Sequence, residues 1–76
     1  MTQDDFKEFQ ERIGWGEELN FYYKNEEYWI SRNLNGCHLT KVKGSITQTF
    51  VTSEELFQKG RIEGKFLTDI YEDIDW

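Results

Sequence analysis

The chain reads as an α+β fold: a four-stranded antiparallel β-meander with an N-terminal helix and two C-terminal helices packed on one face, in the order α-β-β-β-β-α-α. Three observations predict it. Apolar residues recur at helical spacing before residue 14 and after residue 52, but at a period of two from Glu18 to Val51. Pairs of turn-forming residues, Asn25-Glu26, Asn35-Gly36 and Gly44-Ser45, divide that alternating stretch into four. Thr2 and Thr52 each stand three residues before an acidic side chain, the spacing that caps a helix N-terminus.

The first helix is expected from about residue 3 to 13, with Phe6, Phe9 and Ile13 on its apolar stripe and a stop at Gly14. Gly14-Trp15-Gly16 then turns the chain sharply, and Trp15 is expected to plug the edge of the core, exposure being the alternative. Strands follow near 18 to 24, 27 to 34, 37 to 43 and 46 to 51. Thr52 and Glu55 open a short helix carrying Leu56 and Phe57, which Lys59 and Gly60 close. Arg61 to Lys65 is a connector anchored by Ile62, and a last helix from about Phe66 to Asp73 aligns Phe66, Leu67, Ile70, Tyr71 and Ile74. Asp69, Glu72, Asp73 and Asp75 crowd the end of that helix with charge that its dipole disfavours, so the end frays unless a cation neutralises it.

Treating the three turn pairs as two-residue loops sets a register, and the faces then separate cleanly. One face collects Leu19, Phe21, Tyr23, Tyr28, Ile30, Leu34, Cys37, Leu39, Ile46 and Phe50, interrupted by Arg32, Lys41, Lys43 and Gln48. This is the core face. The other is mostly polar, carrying Asn20, Ser31, Asn33, His38, Thr40, Thr47 and Thr49, and a row formed by Tyr22, Trp29 and Val42 crosses its middle.

Seventy-six residues make one domain with a small core and no deep active-site cavity. The mean hydropathy of −0.81 is low, but thirteen aromatic residues supply large buried areas from few positions. No apolar run approaches the length of a membrane span, and the first residues are acidic where a signal peptide would be basic. The single cysteine, Cys37, cannot form an internal disulfide, which fits a reducing, cytoplasmic setting.

Few constellations here could carry catalysis. Cys37 and His38 are the sole nucleophile and base pair, and neighbours on a strand point to opposite faces. With one cysteine and one histidine the chain lacks the ligands of a zinc site, and its acids follow no calcium-loop order. The acidic doublets Asp4-Asp5, Glu17-Glu18, Glu26-Glu27 and Glu54-Glu55 sit at helix starts, linkers and turns, where solvation explains them. No glycine-rich phosphate loop is present. The expectation is a non-enzymatic protein without cofactor or metal.

Charge is more informative. The chain carries −6 overall, yet residues 28 to 53 hold Arg32, Lys41 and Lys43 and no acid, a net +3, so the remainder carries −9. Such a molecule opposes nucleic acid and anionic lipid as a whole and favours a basic partner. Two surfaces are candidates for protein binding: the aromatic row of Tyr22, Trp29 and Val42 in its hydroxyl-rich surround, and the acidic set Asp69, Glu72, Asp73 and Asp75. The aromatic row could instead join two copies, so the chain is a monomer or a homodimer. A different class of reading is a single-stranded nucleic-acid module that stacks bases on Trp29 with Lys41 and Lys43 near the phosphates.

The stretch Tyr22-Tyr23-Lys24-Asn25-Glu26-Glu27-Tyr28-Trp29-Ile30, then Phe50, Ser53-Glu54-Glu55-Leu56 and Arg61 through Tyr71, resembles short acidic hypothetical proteins of Gram-positive bacteria and their mobile elements. Asn25-Glu26-Glu27 stands where those proteins often have Asn-Gly-Lys. The resemblance implies a bacterial or phage accessory protein and carries over no catalytic residue. By analogy of size and charge, it suggests an inhibitor or immunity-type protein acting on a basic nuclease or toxin.

Overall fold

A computed structural model describes all 76 residues. Helix α1 (Gln3–Gly14) is followed by strands β1 (Leu19–Tyr23), β2 (Glu26–Asn33), β3 (Gly36–Lys41) and β4 (Ile46–Phe50), then by α2 (Ser53–Lys59). A small hairpin, β5 (Arg61–Ile62) and β6 (Lys65–Phe66), leads into α3 (Leu67–Ile70), a 3-10 turn (Tyr71–Asp73) and β7 (Ile74–Asp75). The fold class is the α+β arrangement expected, with one addition. β7 pairs antiparallel with β1, so the sheet has five strands in the order β4-β3-β2-β1-β7. The molecule is 18 Å across its thinnest dimension, which suits one sheet and one layer of helices.

Both predicted helix caps form. The Asp5 amide donates to Thr2 Oγ1 and the Thr2 amide donates to Asp5 Oδ2, each at 3.1 Å, a reciprocal capping box. In α2 the Glu55 amide donates to Thr52 Oγ1 at 3.1 Å, while the Glu55 carboxylate accepts from the Val51 amide at 3.4 Å. The Thr2 amide, and the Thr2 hydroxyl after it, hold the Asp5 carboxyl below its ordinary 3.8. A carboxyl lowered by folding contributes stability that is complete above its unfolded value and is lost as pH falls through the folded one. Asp5→Ala should therefore melt earlier than wild type at neutral pH, with the gap closing as pH falls through the lowered folded value. A gap independent of pH in thermal melts would assign the loss to helix propensity instead.

The core is one cluster of fifteen buried apolar and aromatic residues drawn from every helix and from β1, β2, β3, β5 and β7. Phe9 is fully buried at its centre, meeting Phe21 at 5.5 Å, Phe57 at 6.0 Å and Trp76 at 5.3 Å between ring centroids, all edge to face. Phe6 stacks on Tyr71 at 4.6 Å.

The core face is mostly as expected, and its polar interruptions have uses. Arg32 donates from Nη2 to the Ile13 carbonyl at 3.3 Å, placing a cation at the C-terminal end of α1, where helix carbonyls lack partners. Gln48 accepts from the Arg61 amide at 2.9 Å and donates to the Arg61 carbonyl at 2.7 Å, which ties β5 beneath β4.

Six expectations need correction. The register differs by two residues throughout: Tyr23 faces Glu26, Asn33 faces Gly36 and Lys41 faces Ile46. The first turn is Lys24-Asn25, both at positive φ, because Glu26 already pairs with β1. Leu34 and Ile46, assigned to the core, are exposed, since one sits in a turn and the other on the outermost strand. Trp15 is 73% exposed and plugs nothing; Trp76 covers the edge of Phe9 instead, with the Arg12 guanidinium 5.5 Å from its ring. The connector at 61 to 65 is the β5–β6 hairpin, turning through Glu63 and Gly64 at positive φ. Finally, the helix expected over 66 to 73 is a four-residue α3 and a 3-10 turn, and the acidic tail runs on as β7. The Met1 ammonium donates to the Ile74 carbonyl at 2.8 Å and the Glu72 carbonyl at 3.4 Å, which brings positive charge to this acidic end.

Candidate functional site

All the helices pack on the face that carries Phe21, Tyr23, Tyr28, Ile30, Cys37 and Leu39, so the opposite face of the sheet has no covering element. Strand alternation assigns to it Asn20 and Tyr22 from β1, Glu27, Trp29 and Ser31 from β2, His38 and Thr40 from β3, Thr47 and Thr49 from β4, and Asp75 from β7.

The register divides this face into two halves. In the first, Tyr22 stands directly between two carboxylate side chains, Glu27 across β2 and Asp75 across β7. Trp29 occupies the next row, between Asn20 and Thr40. It is therefore a diagonal neighbour of Tyr22, within reach of an aromatic side chain. Asn20 donates from Nδ2 to Glu27 Oε2 at 2.6 Å, which orients that carboxylate. The Val42 amide donates to the Glu27 carbonyl at 3.1 Å, so Val42 continues the Tyr22 row beyond β2. The straight row of Tyr22, Trp29 and Val42 is thus a stagger, a direct consequence of the two-residue register difference. Tyr22, Trp29 and Val42 are 47%, 39% and 42% exposed.

The second half is a network of small polar groups. His38 Nδ1 lies 2.9 Å from Thr49 Oγ1 and His38 Nε2 lies 2.9 Å from Asn33 Oδ1. The Asn35 amide donates to that same Asn33 oxygen at 2.8 Å, which identifies it as the oxygen and makes Nε2 a donor. In the neutral ring Nδ1 then accepts from the Thr49 hydroxyl. Thr40 and Thr47 share a hydroxyl contact at 3.0 Å. These side chains are pre-ordered by one another.

Of the residues singled out from the sequence, the structure brings Tyr22, Trp29, Val42 and Asp75 onto one face. Asp69, Glu72 and Asp73 stand exposed on α3 and the 3-10 turn, on the connection between the helical layer and the sheet. Glu27, which the sequence reading takes as half of a solvated doublet at a turn, joins this face through its parity with Trp29 on β2. Lys41 pairs with Tyr28 and Ile46 and so lies on the helix-packed face, opposite Trp29. Cys37 is buried in the core while His38 bonds on the outer face, so the two side chains do not meet. No three His, Cys, Asp or Glu side chains converge to hold a metal ion. The largest depression, about 430 Å³, lies in the helical layer among Gln10, Phe57 and Phe66, and Glu54 is its one charged lining residue.

These features define a sheet-and-helix α+β protein with one open, aromatic and acidic sheet face. The chain matches no protein-family model, no curated protein and no solved structure. No helix is long and apolar enough to cross a membrane.

Proposed function

We propose that the chain is a non-enzymatic interaction protein whose open sheet face binds a basic protein partner, in the manner of an inhibitor of a cationic nuclease or toxin. The observation that carries this reading is the placement of Tyr22 between Glu27 and Asp75, with Trp29 diagonal to it, on a face that no helix covers. A lysine or arginine side chain laid there meets an aromatic ring and a carboxylate together, and each attraction strengthens as the contact excludes water. The threonine and histidine half supplies a hydrogen-bonding surround, and the net charge of −6 favours the approach of a cationic partner.

An arginine-rich peptide titrated calorimetrically at low salt tests this. The double variant Glu27→Gln, Asp75→Asn should bind about tenfold more weakly, roughly 1.4 kcal/mol, and Trp29→Ala should lose a comparable amount. Neutralising Asp69, Glu72 and Asp73 should slow association and flatten its salt dependence while leaving dissociation nearly unchanged. Equal affinity for a neutral peptide of the same length, or preference for a single-stranded oligonucleotide, would sink the reading.

A further inference from the structure

The edge of the sheet at β4 has a separate character, and it points to a second copy of this chain. Residues 44 to 53 form the longest uncharged run in a sequence where 32% of residues are charged. Within it β4 reads Ile46-Thr47-Gln48-Thr49-Phe50, without proline, lysine or a bulge to discourage pairing.

The hydrogen-bond phase of the sheet shows which groups face outward. Val42 and Glu27 lie opposite one another, and the Val42 amide donates to the Glu27 carbonyl. Pairs joined by hydrogen bonds alternate along an antiparallel ladder, so in β3 the residues 37, 39 and 41 direct their amides and carbonyls toward β4. Their partners Phe50, Gln48 and Ile46 answer them. The amides and carbonyls of Thr47 and Thr49 therefore point away from the sheet, on a side where the fold has no further strand.

We propose that two copies pair antiparallel along β4 about a two-fold axis through Gln48. In that register Thr47 of one copy faces Thr49 of the other, and the four outward threonine amides and carbonyls of each chain satisfy one another. On the outer face threonine meets threonine, and on the core face Ile46 meets Phe50, both favourable cross-strand pairs. Ile46 is 60% exposed in the single chain and gains apolar cover. β4 itself carries no charged side chain, so pairing two copies along it sets no like charges directly opposite one another. The interface is isologous and closed, and the paired sheet of ten strands sets two copies of the Tyr22 and Trp29 surface on one continuous face. The proposal is independent of what that face binds.

Sedimentation equilibrium from about 10 µM to about 1 mM tests it, a range suited to a contact below standard interface size. Wild type should pass from 9.2 kDa toward twice that mass. Thr47→Pro removes an outward amide without touching the β3–β4 ladder, and Ile46→Lys places a charge at the apolar pair; both should stay monomeric, while Trp29→Ala should still dimerise. Near-UV circular dichroism establishes that each variant is folded, and either folded variant decides the matter. A wild type that is monomeric throughout overturns the proposal and leaves the edge to an extended segment of another protein. A dimer that survives in a folded edge variant, or that Trp29→Ala abolishes, overturns it as well.

Discussion

Phe9→Ala lowers the stability of the domain by about 3–5 kcal/mol, the largest loss expected from any single side chain. Phe9 is fully buried and is the ring through which α1 meets β1, α2 and the C-terminus, by way of Phe21, Phe57 and Trp76. Removing it forfeits the transfer of a phenyl group from water, three edge-to-face contacts and the packing around the resulting cavity. A chain of this size has a total stability of about 4–11 kcal/mol, so the variant should be partly or wholly unfolded at room temperature. Urea titration followed by far-UV circular dichroism measures it. Phe9→Leu keeps most of the volume and should cost less than half as much. A midpoint for Phe9→Ala within error of wild type would mean that the aromatic cluster is not the centre of the core.

Gly36→Ala comes second, at about 3–4 kcal/mol, the sum of backbone strain and a displaced carbonyl. Gly36 has φ +125, a conformation that L-residues rarely adopt, and a Cβ added there would collide with the backbone oxygen of Phe50. That carbonyl lies on β4, so the strain is relieved only by moving β4 away from β3. Amide exchange should therefore accelerate first at Ile46, Gln48 and Phe50, whose backbone groups face β3. Gly64→Ala is the control. Its φ is +76 but no atom lies within 4 Å of the added Cβ, so it carries conformational strain alone, about 1 kcal/mol. If the two alanine variants were equally stable, the collision with Phe50 would have no energetic consequence.

The sheet illustrates why some features of this protein are legible in a linear reading and others are not. Hydrophobic alternation assigns each residue to a face, and for the residues that lie in strands β1 to β4 those assignments hold although the register differs by two residues at all three turns. The side-chain period is two, so a slip of two leaves every side chain on its own face. What the slip alters is which residues stand side by side. The Tyr22 row gains Glu27 and loses Trp29 to a diagonal, so a carboxylate and not a second ring stands directly beside Tyr22 across β2.

Local chemistry within a few residues therefore determined the elements themselves: the caps at Thr2 and Thr52, the apolar stripe of α1, the strand faces and the aromatic content of the open face. The tertiary structure alone decided the features that join distant segments. Trp76, not Trp15, covers Phe9, because the chain end returns to α1 while the Gly14-Trp15-Gly16 turn projects outward. Two residues, Ile74 and Asp75, become a fifth strand with no periodic signal of their own, since a pair of residues is too short to show a period. Their pairing with β1 places Ile74 in the core and Asp75 beside Tyr22, fifty-three positions earlier in the chain. A long-range contact of that kind is selected by the space left at the sheet edge, which exists only once the other strands have assembled.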